Sequence, residues 1–262
     1  MCAHRLPPRP PTRRACLQTL LVTGAAGLPA WAAPVPGLDQ LQGYAHSLPP
    51  LSYEEGGRVQ GLFVDLFRDL AAQLGLPAAV EIQPFLRLQQ SAMLGPSVVA
   101  FPLVRLPERE EMYQWIGPVL RRRVMLYRLA QRQDLEFKGW SRLGSAQVVV
   151  NKGTATHRKL MEEFHVPAAQ LQVSANYATA VRMLVAGRAD FMAMNELAAA
   201  WAARQQGLAS DALRPVQELD GDGAYWFGVV PGAKPLAQAL QEGLEQLRRQ
   251  GRVEALRRQY GV

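Results

Sequence analysis

Cysteine is scarce in this chain of 262 residues, which contains only Cys2 and Cys16. Both lie in the first 32 residues, a segment that also contains no aspartate or glutamate. If that segment is removed, the remaining chain can form no disulfide, perform no thiol chemistry and hold no cysteine-ligated metal. The scarcity of cysteine therefore excludes a disulfide-stabilised scaffold.

The first 32 residues have the organisation of an export signal. A basic stretch with several prolines, at 5–14, precedes an apolar stretch at 16–31. Ala30 and Ala32 are the small residues that a signal peptidase reads, which predicts cleavage after Ala32. The pair Arg13 and Arg14 resembles a twin-arginine signal, and an ordinary Sec signal remains an equal alternative. We therefore expect the mature protein outside the cytoplasm.

Excess charge and long apolar runs are both missing from the rest of the chain. The net charge of +7 falls to +3 beyond residue 32, where 25 basic and 22 acidic residues remain. So mild a balance gives no reason to expect a nucleic-acid partner, and the basic residues are dispersed apart from the run at 121–123 and the C-terminal helix. No remaining apolar run approaches the length of a membrane-spanning helix.

Beyond the export signal, the sequence alternates between strand patterns and helix patterns. Apolar residues at 63, 66, 67, 70, 71 and 74 have helical spacing, and Gly75 and Pro77 end that helix. Asn176 caps a second helix with the same one-sided pattern. Strands are predicted at 41–45, 80–83, 97–103, 124–129, 146–150, 191–194 and 224–230. This order predicts an α/β fold with helices packed on a sheet.

Four separated motifs match, in order, those of one bacterial family. They are Pro50-Leu51-Ser52-Tyr53 with 61–75, Leu106-Pro107-Glu108-Arg109-Glu110, Gly187-Arg188-Ala189-Asp190, and 247–261. With them, residues 40–261 resemble the bacterial extracellular solute-binding proteins of family 3, the polar amino-acid type. The resemblance implies a type II periplasmic binding protein fold. In that fold, two α/β lobes joined by two crossing hinge strands enclose a ligand cleft.

The resemblance also implies a domain division and a set of partners. After the signal peptide at 1–32, lobe 1 comprises 33–128 with 224–262, and the inserted lobe 2 comprises 129–223. We expect a periplasmic monomer, not an enzyme, that binds a small molecule and passes it to the membrane permease of an ABC transporter. No cofactor is implied, and His46, His157 and His165 lack the spacing of metal ligands.

Arg109 is the residue that the resemblance assigns to the carboxylate of the ligand. A planar guanidinium can donate two parallel hydrogen bonds to a carboxylate, which a lysine cannot do. Because most arginines are exposed, the alternative is a surface ion pair with Glu108, Glu110 or Glu111.

A second anion-binding element is predicted at Gly153 and Thr154. They form a sharp turn from a strand into a helix, whose backbone N–H groups suit a carboxylate. Opposite Arg109 across a cleft, this turn would hold the same group from the other lobe. Four more side chains are candidates for the cleft, each with a core or solvated alternative: Phe85, Tyr44, Arg87 and Arg105.

Asn195 departs from the pattern of the family. Amino-acid binders of this type place an acidic residue there to hold the α-ammonium of the ligand, whereas this chain has Asn195 followed by Glu196. An ammonium without a carboxylate partner is costly in a closed cleft. We therefore predict an anionic ligand without a free α-ammonium. The alternative is that Glu196 or Glu54 supplies the charge and the ligand is an ordinary amino acid.

Two other functions are compatible with the same fold. A sensory protein would close on its ligand in the same way and report it to a membrane partner. A dehydratase would use a carboxyl group in the cleft as a general acid, for which Glu196 is the one nearby candidate.

Overall fold

The structure, a computed structural model, describes residues 37–262. The predicted export signal and its cleavage point after Ala32 lie outside this range. The strands are β1 Leu41–Ala45, β2 Tyr53–Glu55, β3 Arg58–Gln60, β4 Ala78–Ile82, β5 Val98–Val104, β6 Gln114–Leu129, β7 Val148–Asn151, β8 Leu171–Ser174, β9 Phe191–Asn195 and β10 Leu213–Val229. The α-helices are α1 Leu62–Gln73, α2 Phe85–Ser91, α3 Ala155–Glu162, α4 Tyr177–Val185, α5 Glu196–Gln205, α6 Lys234–Arg249 and α7 Arg252–Tyr260.

Helix α1 illustrates how the apolar pattern fixes the packing. Its apolar face buries Phe63, Leu66, Phe67 and Leu70 almost completely. Burying each such side chain contributes about 1.5–3 kcal/mol relative to leaving it exposed. The helix ends at Gly75, whose φ of 69° is a conformation that glycine adopts without strain. The predicted helix is therefore confirmed, within a residue of each end.

Eight strands form one sheet in the order β4-β1-β5-β10-β6-β9-β7-β8, and β2 and β3 form a separate hairpin. At one end of the sheet, β1 pairs in parallel with β4 and β5. At the other end, β7 pairs in parallel with β8 and β9. Helices cover both ends, so each end is an α/β lobe. This confirms the predicted fold class.

The two longest strands, β6 and β10, cross from one lobe to the other side by side. They have 16 and 17 residues, and they pair antiparallel from Leu213 opposite Leu129 to Val229 opposite Gln114. The strands predicted at 124–129 and 224–230 cover only part of each. The predicted lobe boundaries, at 128/129 and 223/224, fall within these strands and stay predictions. Among residues 37–262, no helix is long and apolar enough to cross a membrane.

Candidate functional site

A cleft of about 570 Å³ opens where the parallel strands of both lobes end. His46 and Gln83 follow β1 and β4 of one lobe, and Asn151 and Asn195 end β7 and β9 of the other. Ligands of open α/β sheets bind at these carboxyl ends, where strand ends and helix starts present polar groups. The cleft is thus the candidate ligand site of the chain.

Arg109 enters this cleft from a short 3-10 helix, Pro107–Met112. Its side chain is partly buried, and its guanidinium carbon lies 4.9 Å from the centre of the Phe85 ring. Nη1 donates a long hydrogen bond of 3.5 Å to the carbonyl of Val104. Burial lowers the pKa of Arg109, with the nearby carboxylate of Glu108 opposing this shift. Arg109 is a partly desolvated cation on the wall of the cleft.

The glutamates around Arg109 have other partners. Glu108 forms an ion pair of 3.3 Å with Arg158, and Glu110 forms one with Arg105. Glu111 is exposed. Within the described range, no ion pair joins Arg109 to a carboxylate, so the surface alternative does not apply in this structure.

His46 and Phe85 complete the surroundings of Arg109. Their rings meet edge to face with centres 5.1 Å apart, and Nδ1 of His46 is buried without a hydrogen-bond partner. Burial, and secondarily the charge of Arg109, lowers the pKa of His46 to about 4. The imidazole is therefore neutral at neutral pH, and Arg109 provides the positive charge at this end of the cleft.

The predicted turn at Gly153 and Thr154 lies in the other lobe and also lines the cleft. Gly153 has a φ of 73°, which favours glycine, and its N–H is 3.4 Å from Nδ1 of His157. Thr154 caps α3, because its hydroxyl accepts a hydrogen bond of 3.2 Å from the N–H of His157. The N-terminal end of α3 thus lies at the cleft, and the dipole of the helix favours an anion there.

Asn195 ends β9 in the cleft and is buried. Its Oδ1 accepts a hydrogen bond of 2.9 Å from the N–H of Ala198, so its carboxamide caps α5. Glu196 does not line the cleft, and its carboxylate lies 3.4 Å from Arg123. Glu54 lies on the hairpin strand β2, away from the lining. The described residues that line the cleft include no aspartate or glutamate.

Three predicted side chains lie outside the cleft lining. Tyr44 packs against the apolar cluster that contains Leu103. Arg87 is exposed on α2. Arg105 pairs with Glu110, and its guanidinium lies 5.0 Å from the centre of the Trp226 ring. The structure therefore brings together Arg109, Phe85, Gly153, Thr154 and Asn195, but not Tyr44, Arg87 and Arg105.

Sequence reasoning missed several polar residues of the cleft. Arg122 and Tyr225 line it from the crossing strands, and Tyr177 lines it from the start of α4. Asn151 also lines it, is 7% exposed, and has a buried Oδ1 without a partner. The run of three arginines resembles a solvated patch in the sequence. The signal that could have revealed Arg122 is the alternation of side chains along a strand. It turns Arg122 inward when Arg121 and Arg123 face solvent.

The strand order and the cleft define the type II periplasmic binding protein fold. The chain belongs to the bacterial extracellular solute-binding proteins, family 3, whose family model matches residues 42–262. No curated protein matches the chain.

Solved structures are similar in fold at low identity. A histidine kinase sensor domain with similarity to periplasmic binding proteins has a TM-score of 0.72 and 20% identity, covering 84% of this chain and 95% of that one. An ancestral amino-acid-binding protein, a precursor of cyclohexadienyl dehydratase, has a TM-score of 0.71 and 21% identity over 85% and 95%. An amino acid ABC transporter substrate-binding protein from Streptococcus pneumoniae, bound to L-arginine, has a TM-score of 0.69 and 21% identity over 85% and 93%.

Proposed function

We propose that this protein captures a small carboxylate-bearing solute in the periplasm and delivers it to the permease of an ABC transporter. One observation carries the proposal. Arg109 is partly buried in the cleft without a carboxylate partner, and the described lining contains no acidic residue. A desolvated guanidinium is stabilised by an anion with which it can form two hydrogen bonds.

Closure of the two lobes would strengthen this contact. Arg109 belongs to one lobe, and the turn at Gly153 and Thr154, with the N-terminus of α3, belongs to the other. A carboxylate held between them contacts both lobes only when the cleft is closed. The ligand then has a higher affinity for the closed state, and this difference is what shifts a protein towards closure.

The lining disfavours a zwitterionic amino acid. A closed cleft removes water from the α-ammonium, which then needs a negative partner close by. Asn195 presents a neutral carboxamide whose oxygen is already bonded to Ala198. Glu196 and Glu54 lie elsewhere. We therefore infer a ligand that has a carboxylate and no free α-ammonium.

A thermal-shift screen tests the proposal, because a ligand that binds the native state raises its melting temperature. The mature protein would be screened against mono- and dicarboxylates, keto acids and the twenty amino acids. We expect stabilisation by carboxylates that lack an ammonium, abolished in Arg109→Ala and retained in the control Arg105→Ala. Stabilisation by several amino acids and by no other anion would contradict the inferred ligand class.

Sensing is the second candidate, and the likeness to a histidine kinase sensor domain fits it. Both functions use the same binding event and differ in the membrane partner. Reconstitution separates them: ligand-dependent uptake by vesicles that contain the permease supports transport. Ligand-dependent phosphorylation of a kinase partner without uptake would support sensing.

An enzymatic role has little support in the cleft. The dehydratase alternative needs a general acid, yet the described lining contains no carboxyl group. Glu196 lies against Arg123, and the lowered pKa of His46, about 4, makes its imidazole a poor proton donor at neutral pH. Native mass spectrometry of protein purified from the periplasm would identify the ligand. Recovery of that ligand unchanged after incubation supports binding without turnover.

A further inference from the structure

A second group of polar side chains lines the cleft where the two long strands cross it. Arg122 belongs to β6, Tyr225 to β10 and Tyr177 to α4, while Asn195 ends β9 opposite Val124. None of them contacts Arg109 in the hydrogen bonds and ion pairs described above. The cleft therefore has a second polar end, and the proposed function assigns no role to its Arg122, Tyr177 and Tyr225.

Arg122 is the centre of this group. It is only 6% exposed, unlike Arg121, whose exposed side chain bonds the carbonyl of Gly221. Nη1 of Arg122 donates to a carboxylate oxygen of Asp220. A guanidinium has five N–H donors, so one carboxylate oxygen leaves part of its capacity free.

The neighbours of Arg122 are donors as well. Burial raises the pKa of Tyr225 to about 12 and raises that of Tyr177, so both hydroxyls keep their protons at neutral pH. Asn195 uses its Oδ1 to cap α5, which leaves its NH₂ group as the part that can bind a ligand. The described lining at this second end of the cleft therefore offers several N–H and O–H donors.

The charges lead to the same conclusion. Among the described residues, three cationic side chains line the cleft, namely Arg109, Arg122 and Lys152. Asp220, which pairs with Arg122, lines a smaller pocket of about 250 Å³ and not the cleft itself. Of these three, only Arg122 is buried, and a buried donor that lacks an acceptor costs free energy. A ligand with a single carboxylate, held at Arg109, would leave the remaining donors of Arg122 unused.

We propose that Arg122, Tyr177 and Tyr225 form a second anion subsite, and that the ligand is a dicarboxylate. One carboxylate binds Arg109 and the turn at Gly153. The other accepts hydrogen bonds from Arg122 and the two tyrosine hydroxyls. This inference rests on the proposed function, because it names the class of solute that the same cleft binds.

Matched ligands test the inference. Calorimetry would compare succinate, glutarate and adipate with their monoamides, which have the same length and one charge fewer. We expect each diacid that binds to do so roughly ten- to hundredfold more tightly than its monoamide, as for loss of a charged hydrogen bond. Equal affinity of diacid and monoamide would overturn the inference.

Variants assign the preference to these residues. Tyr177→Phe with Tyr225→Phe removes only hydroxyls, and Arg122→Gln with Asp220→Asn removes the ion pair without leaving a lone charge. Both double variants should lose most of the preference for the diacid, whereas the control Arg121→Gln should keep it. A preference that survives in both double variants would also overturn the inference.

The two proposals fail in different ways. If only monocarboxylates bind, and binding is lost in Arg109→Ala, the second subsite is wrong and the proposed function stands. If no carboxylate of either kind binds, both proposals are wrong. Circular dichroism of each variant shows whether it is folded before its affinity is interpreted.

Discussion

Asn195 accepts a hydrogen bond of 2.9 Å from the backbone N–H of Ala198, and the same carboxamide lines the ligand cleft. One side chain therefore caps helix α5 and contributes a neutral group to the cleft wall. Aspartate caps helices about as well as asparagine, so the structural role can be kept while the charge is changed.

Asn195→Asp should make the protein bind α-amino acids. The aspartate retains the cap on Ala198, the dipole of α5 favours its negative charge, and the cleft acquires a partner for an ammonium. Calorimetry with the twenty amino acids, on wild type and variant, measures the change. As a contrast, Asn195→Ala should lower the free energy of unfolding by about 1 kcal/mol without this gain. A variant that is stable but still ignores amino acids would mean that the charge at this position does not control ligand class.

Replacing Arg109 should weaken binding of the carboxylate ligand. Arg109→Ala is expected to cost about 2–5 kcal/mol of binding free energy, because the buried ligand charge loses its partner. Arg109→Lys should also bind poorly, since an ammonium cannot form the two parallel hydrogen bonds. Calorimetry measures both, with Arg105→Ala as the control for an arginine outside the cleft. Unchanged affinity in both Arg109 variants would exclude the carboxylate contact.

The stability of the protein without ligand should depend on pH through His46. Its pKa is about 4 in the folded protein and 6.5 when unperturbed, because burial disfavours the charged imidazolium. As the pH falls through this window, the unfolded state gains a proton that the folded state does not, so the free energy of unfolding decreases. Urea unfolding at about pH 7 and about pH 5 should show a larger decrease for wild type than for His46→Gln. Equal decreases would mean that His46 is protonated in the folded protein.

Export can be tested directly at the N-terminus. Sequencing of the protein from the periplasmic fraction should give Ala33 as the first residue, because Ala30 and Ala32 present the small side chains that the peptidase reads. Full-length protein retained in the cytoplasm would contradict the signal. Replacing Arg13 and Arg14 with lysine should block export by the Tat route and leave Sec export intact.

Regular, apolar elements could be predicted from the sequence because their spacing carries the information. The predicted strand at 41–45 matches β1, and the helix capped by Asn176 is found as α4 with that cap in place. The short strand β8, Leu171–Ser174, was not predicted. Its four residues alternate in burial only partly, which gives too little pattern to recognise.

The lengths of the two crossing strands, β6 and β10, were underestimated for a different reason. In β10, the segment from Leu213 to Ala224 contains a proline, three acidic residues and two glycines, which on their own indicate a loop. Their partners are supplied by β6: Arg123 pairs with Glu218, and Arg122 with Asp220. These pairs join residues about a hundred positions apart, so no local pattern predicts them. A family motif indicated Arg109, whereas the ion-pair partner of Arg122 lies about a hundred positions away in the sequence.

The pairing of β6 with β10 also has a mechanical consequence. Because the two strands share a hydrogen-bond ladder along most of their length, they form one ribbon and not two independent tethers. The ladder shifts register four times between Pro215 and Phe227, and such irregularities bend a strand pair and increase its local twist. We therefore expect rotation of the lobes to be absorbed as twist in this segment, with both strands turning together. We expect such a ribbon to favour one motion, rotation of the lobes about its long axis, and to resist their sideways displacement.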